Sequence, residues 1–346
     1  MSTTASTSPP RAARGILIAV CSAAVLSLSV VVMGLSGGAS DFWGGYASAV
    51  ARVEADPWWS LWAMPGVLLA LVTVLAITIA TRPVPAGAAT HRPRRQAFLW
   101  SGVGVLVLAV CSPLSVIAQG GLLTAHMVQH VLIGALAPIL ILLAIPRAPR
   151  GTRRRRRVLA VVLHPVPAFL IWLASTILWL VPDVHHEVLT LPALWIAQQV
   201  AVFVAGVILW ASITDRIVDP PAWFRTGPKC GYMLGVWFVG VAIANIYWFS
   251  GSPLYDSHAA GAAAWGVSPL QDQANAGTVM ILAHCAITFV AIGVLFFQNA
   301  AERGLEQRLI EAGVPEEQVR RATGEGELSS LAERSGVAIH TRTGLD

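Results

Sequence analysis

Apolar residues in this chain come in long runs, separated by short segments rich in Pro, Gly and charge. Eight runs approach the roughly 20 residues a helix needs to cross the hydrocarbon core of a bilayer. They cover residues 15–35, 60–81, 97–118, 126–145, 158–181, 192–213, 231–250 and 277–298. The pattern predicts an all-α, polytopic integral membrane helix bundle of about eight transmembrane helices. A cleaved first run would leave seven, since Arg11 and Arg14 precede it as in a signal peptide. The run is longer than an ordinary signal h-region, so an uncleaved helix is the expectation. Three parts follow: an N-terminal segment 1–14, a transmembrane domain 15–298 and a polar tail 299–346. The tail carries helix-forming stretches on either side of Gly313-Val314-Pro315, and its composition from Gly324 onward is that of a disordered segment.

Composition supports the membrane reading. Of 346 residues, 55% are hydrophobic and only 12% charged, against roughly a quarter charged in a soluble domain. The net charge of +5 does not point to nucleic acid, because the basic residues lie in loops between apolar runs.

Those loops set the orientation. Alternate loops carry Arg11, Arg14, Arg82, Arg92, Arg94 and Arg95, then Arg147, Arg150, the run at 153–157, Arg216, Arg225 and Lys229. The remaining loops carry Arg52 alone, with Asp41, Glu54, Asp56, Asp183, Glu187, Asp256 and Asp272. By the positive-inside rule both termini are expected in the cytoplasm. Trp58, Trp59, Trp62, Trp179, Tyr247 and Trp248 fall near outer ends, where an interfacial belt would lie. Cys21, Cys111, Cys230 and Cys285 form no C-x-x-C pair and are expected to be buried apolar residues.

Ionisable groups in membrane spans raise a functional question by default. On this topology His126, His130, His185, His186, His258 and His284 lie toward the outer side, and His91, His164 and His340 inside. His126 and His130, four apart at the start of the fourth run, share one helix face. His130 sits about 6 Å deeper, and the two imidazoles can share a metal ion.

At the eighth run Ser268 suits an N-cap and Pro269 the first helical position, and Asp272 favours the positive end of the helix dipole. Gln273, Gly277, Met280 and His284 form one stripe, and a thioether and an imidazole one turn apart suit copper, Cu(I) in particular. If the two helices are neighbours, His126, His130, Met280 and His284 enclose a site. His185 and His186, beside Asp183 and Glu187, form a possible external metal patch or a solvated loop. His258 stands alone. Pro138 is expected to kink the fourth helix near Gly134. Asn245 is placed either to orient a ligand or to join helices. No nucleophile–base pair is visible, so the expected role is not enzymatic.

The stretch Ser112-Pro113-Leu114, through His126-Met127-Val128-Gln129-His130 to Ala137-Pro138 and Ile145-Pro146, resembles the hallmark of CtaG-type cytochrome c oxidase assembly proteins. Asp272-Gln273, Ala276-Gly277 and Met280 resemble the last-helix motif of that family, and the likeness covers residues 60–300. The resemblance implies a multi-pass protein of the bacterial plasma membrane that helps mature haem–copper oxidase by handling copper. Its partners would be oxidase subunits and other copper chaperones. It nominates His126 and His130 from the first motif and Asp272, Gln273 and Met280 from the second. With His284 from the spacing above, the metal candidates are His126, His130, Met280 and His284, and Gln129, Asp272, Gln273 and Asn245 are supporting candidates. Where the family carries His near the end of the fifth span and early in the sixth, this chain has Leu180, and Trp195, Gln198 and Gln199. Two other readings of the same residues are a copper permease and a b-type haem protein.

Overall fold

Proline sets the start of helix after helix in this chain. The computed structural model describes residues 45–63, 66–81, 92–146, 157–218, 220–221, 223–325 and 327–338. The expected first span 15–35, segment 1–14, most of the basic loops at 82–91 and 147–156, and the last residues of the tail lie outside the described residues. Among the described residues every regular element is helical.

The elements are α1 (Gly45–Ala55), α2 (Gly66–Ala80), α3 (Arg92–Cys111), α4 (Pro113–Gln119) and α5 (Leu123–Ala144). There follow α6 (Arg157–Val162), α7 (Pro165–Leu180), α8 (Pro182–Thr190), α9 (Pro192–Thr214) and α10 (Thr226–Phe249). The last four are α11 (Ala259–Ala264), α12 (Pro269–Glu311), α13 (Glu316–Glu325) and α14 (Leu328–Arg334). Five of the described residues start a helix as proline: Pro113, Pro165, Pro182, Pro192 and Pro269. Proline's missing N–H costs nothing at a first position, and it biases the preceding residue away from helix. At Pro269 the expected cap is present, with the Gln271 N–H donating to Ser268 Oγ over 3.2 Å.

These breaks redraw several expected spans. The run 158–181 is interrupted at His164-Pro165, and α7 then bends by 74° into α8 at Val181-Pro182. The run 60–81 yields only the 15-residue helix α2, after a 3-10 turn at Trp58–Ser60. Five helices among the described residues are long and apolar enough to cross a membrane: Pro93–Cys111, Leu123–Ala144, Pro192–Thr214, Thr226–Phe249 and Pro269–Glu311. Counting α7 and α8 as one broken span makes six.

Chain contacts divide the molecule into two compact units, Met1–Pro220 with Val241–Ile281, and Pro221–Gly240 with Leu282–Asp346. In the first unit α3 packs along the second half of α5, α9 lies against both α5 and α7, and α1 meets α4, α8 and α11. Helices α5 and α9 touch backbone to backbone: a methyl group added at Gly206 would overlap the Gly134 carbonyl. There α5 widens into a π turn at Leu132–Leu136. The distortion falls where Pro138 was expected to act, since Pro138 gives no N–H to the Gly134 carbonyl one turn back. Of the expected aromatic belt, Trp58, Trp59, Trp62 and Trp248 are exposed, but Trp179 and Tyr247 are buried.

In the second unit the end of α12 packs against α13 and α14 through Leu305, Leu309, Val319, Ala322, Leu328, Leu331 and Ala332. Gly313, at φ +85°, makes the expected break, and the Val314 N–H closes on the Leu309 carbonyl. Helix α14 lies beyond Gly324, where composition alone predicts disorder; burying Leu328, Leu331 and Ala332 supplies the apolar contact that holds it. Elsewhere in this unit the Trp237 indole N–H donates to Cys285 Sγ over 3.2 Å.

Candidate functional site

Helix α5 begins directly after a tight turn at Gly121, whose φ is +90°. Its first amides would be orphans in an apolar setting. They are taken up by a side chain from a distant helix. Asp272 on α12 accepts the Leu123 N–H (2.7 Å), the Thr124 N–H (3.0 Å) and the Thr124 hydroxyl (2.6 Å). Asp272 therefore caps α5 from outside, and its negative charge meets the positive end of that helix. Its neighbour Gln273 holds a second element: its amide donates to the Tyr247 carbonyl (3.0 Å), and its oxygen accepts the Leu254 N–H (2.7 Å). Together the two residues fix the start of α5 and the loop that leads to Tyr255 and His258.

One turn into α5 the imidazoles gather. His126 is fully buried, with its ring centroid 4.6 Å from that of His130, 4.7 Å from His185 and 6.3 Å from His258. Trp195 closes another side at 5.5 Å. His185 and His258 are 4.9 Å apart by centroid, and Tyr255 lies 4.7 Å from His185. The Tyr255 hydroxyl donates to the Leu180 carbonyl over 2.9 Å, and the Tyr247 hydroxyl meets Tyr255 over 2.8 Å.

Several buried polar atoms in this cluster have no hydrogen-bond partner: His126 Nδ1, His130 Nε2 and Gln198 Oε1. An orphaned buried polar atom is costly, and three of them stand in one pocket of imidazoles. The Gln198 amide nitrogen stands 3.5 Å from His126 Nε2. Gln129 turns the other way and donates to the Ala109 carbonyl over 2.8 Å, with the Gln199 amide 3.5 Å from its oxygen. Burial pushes the His258 imidazole down to about 4, against the opposing effect of its hydrogen bond to Gly121. Burial likewise lifts the Tyr255 phenol to about 12, with the Tyr247 hydrogen bond opposing. Both are neutral groups at neutral pH.

The sequence-predicted residues are distributed as follows. His126 and His130 stand together. His185 joins them, while His186 is exposed on the other side of α8. Met280 packs into an apolar cluster with Leu123, Met127, Ala244, Tyr247, Tyr255 and Ala276. His284 belongs to the second unit, where its ring lies against Gly240 so closely that a methyl group there would overlap it. Asn245 donates to the Val241 carbonyl of its own helix over 2.8 Å. His258 stands alone in the sequence but is among the imidazoles here, carried in by the loop that Gln273 pins. Gln198, in the region where the family resemblance leads one to expect histidine, also faces His126. Among the described residues no three His, Cys, Asp or Glu groups converge as ligands on one point.

These features define a class: an all-helical chain with several helices able to cross a membrane and a knot of buried imidazoles held by a carboxylate and an amide from a late helix. Over residues 73–302 the chain matches the family described as cytochrome c oxidase caa3 assembly factor (Caa3_CtaG), and it belongs to that family. No curated protein and no protein of solved structure matches it.

Proposed function

We propose that this protein is a non-catalytic membrane factor that takes up copper outside the cytoplasm and passes it on during maturation of a haem–copper oxidase. Copper is its cargo, and the partners are oxidase subunits and other copper chaperones. The observation that carries this reading is the pair His126 and His130: adjacent imidazoles on one helix, each with a buried ring nitrogen that has no hydrogen-bond partner. Imidazole suits copper, and exchangeable cargo calls for few ligands.

The orientation rests on the basic loops, which place both termini and the tail in the cytoplasm and the histidine cluster on the opposite face of the plasma membrane. Eight crossings, the first at residues 15–35, complete this topology. The test replaces His126 and His130 together by alanine. The variant is expected in the membrane at normal level with oxidase maturation lost; full oxidase activity in those cells would remove the proposal.

A further inference from the structure

His185 and His258 meet through the same ring atom. The first is carried by α8 and the second by the three-residue turn Asp256–His258. Their Nε2 atoms are 2.7 Å apart, within hydrogen-bond distance. A hydrogen bond requires one of them to donate, and a neutral imidazole carries a single N–H. In each ring the other nitrogen already faces a main-chain carbonyl. His185 Nδ1 lies 3.2 Å from the Trp179 oxygen, and His258 Nδ1 lies 2.6 Å from the Gly121 oxygen. A carbonyl only accepts, so a ring that makes its carbonyl bond carries its hydrogen on Nδ1. Two lone pairs are then left pointing at each other, in rings that are 0% and 2% exposed. A cation between them removes that repulsion while leaving both carbonyl bonds intact, whereas a shift of one hydrogen to Nε2 would give up one of them.

The carbonyl contacts carry a second meaning. An imidazole that donates its far N–H to a carbonyl is fixed in tautomer and orientation, and is the better ligand for it. Both rings have this support before any ion arrives. We propose that His185 and His258 form a two-coordinate site, their Nε2 atoms gripping one soft monovalent cation, Cu(I), in near-linear geometry. The inference rests on the copper-handling reading and adds to it the place of first capture and the coordination of the ion.

The chemistry of the donors selects the ion. Both ligands are neutral, and the cost of desolvating an ion grows steeply with its charge, so a divalent ion with no anionic partner is disfavoured. Zinc takes four ligands in structural sites and three plus water in catalytic ones, and no group of three convergent ligands stands among the described residues. Two donors satisfy Cu(I). Metal–imidazole bonds of about 2 Å place the nitrogens of a linear pair about 4 Å apart, so the rings part by roughly an ångström on loading. His126, with its centroid 4.7 Å from that of His185, is the next imidazole an ion leaving the pair would meet.

The test uses the full-length protein in detergent, titrated under reducing conditions with Cu(I) against a chromophoric Cu(I) chelator, and separately with Ag(I) and Zn(II). Wild type is expected to bind Cu(I) and Ag(I) in preference to Zn(II). X-ray absorption is expected to show a two-coordinate ion with nitrogen ligands only. His185→Gln and His258→Gln are each expected to weaken Cu(I) binding at least about tenfold. Three or four ligands, or a sulfur ligand, in the wild-type spectrum would overturn the inference without recourse to any variant. So would unchanged affinity in both glutamine variants beside loss in the His126, His130 double variant, an outcome that leaves the copper-handling reading intact. A wild-type protein that binds no Cu(I) would overturn both.

Discussion

At Asp272 one carboxylate accepts three hydrogen bonds from the first turn of another helix. The sequence suggests a favourable charge at the start of its own helix, where Asp272 does lie, and the structure shows that its side chain also caps the start of α5. The two roles have the same local signature, and the partner lies 148 residues away, so no local pattern separates them. Asp272→Ala should destabilise the fold by about 2–3 kcal/mol, the combined loss of a cap and of charge-assisted hydrogen bonds in a buried place. Unfolding by denaturant in detergent would measure it, with Asp272→Asn expected in between. Met280 is a second case in which residue type alone left two roles open. Its thioether lies in an apolar cluster, and Met280→Leu is expected to change stability by less than about 1.5 kcal/mol. Copper affinity measured in parallel would read whether the sulfur takes part. His126 and His130 were legible as a pair because spacing on one helix is local. His258 was not, because its neighbours His185 and Gly121 are 73 and 137 residues distant.

Among the elements, α5 combines a histidine-bearing start, a π turn and an apolar end. The π turn has a cause in Pro138 and a partner in Gly206, where the two backbones leave no room for a side chain. Gly206→Ala is expected to cost about 1–3 kcal/mol, because the added carbon meets a main-chain oxygen that cannot turn aside. It should also lower oxidase maturation, since His130 lies two residues before the distortion. Thermal unfolding of the purified variant, together with oxidase activity in cells, checks both halves. Hydropathy located the apolar cores of the helices but misjudged several ends. A window average takes no account of Pro165, Pro182 or the residues preceding them, and those residues decide where hydrogen bonding starts and stops. The bend between α7 and α8 is the most consequential of these ends, because it carries His185 into the cluster.

For the molecule as a whole, composition places a boundary near residue 298, where apolar sequence gives way to charge. Contacts along the chain give a second, independent division of the molecule. Its two units divide α10 after Gly240 and α12 after Ile281, and α12 runs for 43 residues straight through the change in composition. At 1.5 Å per residue that is about 65 Å, roughly twice the hydrocarbon thickness. The second unit has its own apolar centre around Leu309, which is fully buried. Leu309→Ala should cost about 2–4 kcal/mol there. Hydrogen exchange is expected to rise across residues 305–337 while the amides of α5 keep their protection. A histidine cluster in the first unit that loosened equally would show the two units to be one cooperative body.

The clamp at Asp272 and Gln273 also sets an order in time. A chain still on the ribosome presents His126 and His130 long before residue 272 has been made. Until then the amides of Leu123 and Thr124 lack their acceptor, and the loop bearing His258 lacks its anchor. Nascent chains arrested before Asp272 should therefore fail to retain copper, and chains released beyond α12 should retain it. On the proposed copper-handling role, loading would then belong to the finished protein, and a half-inserted chain would hold no metal.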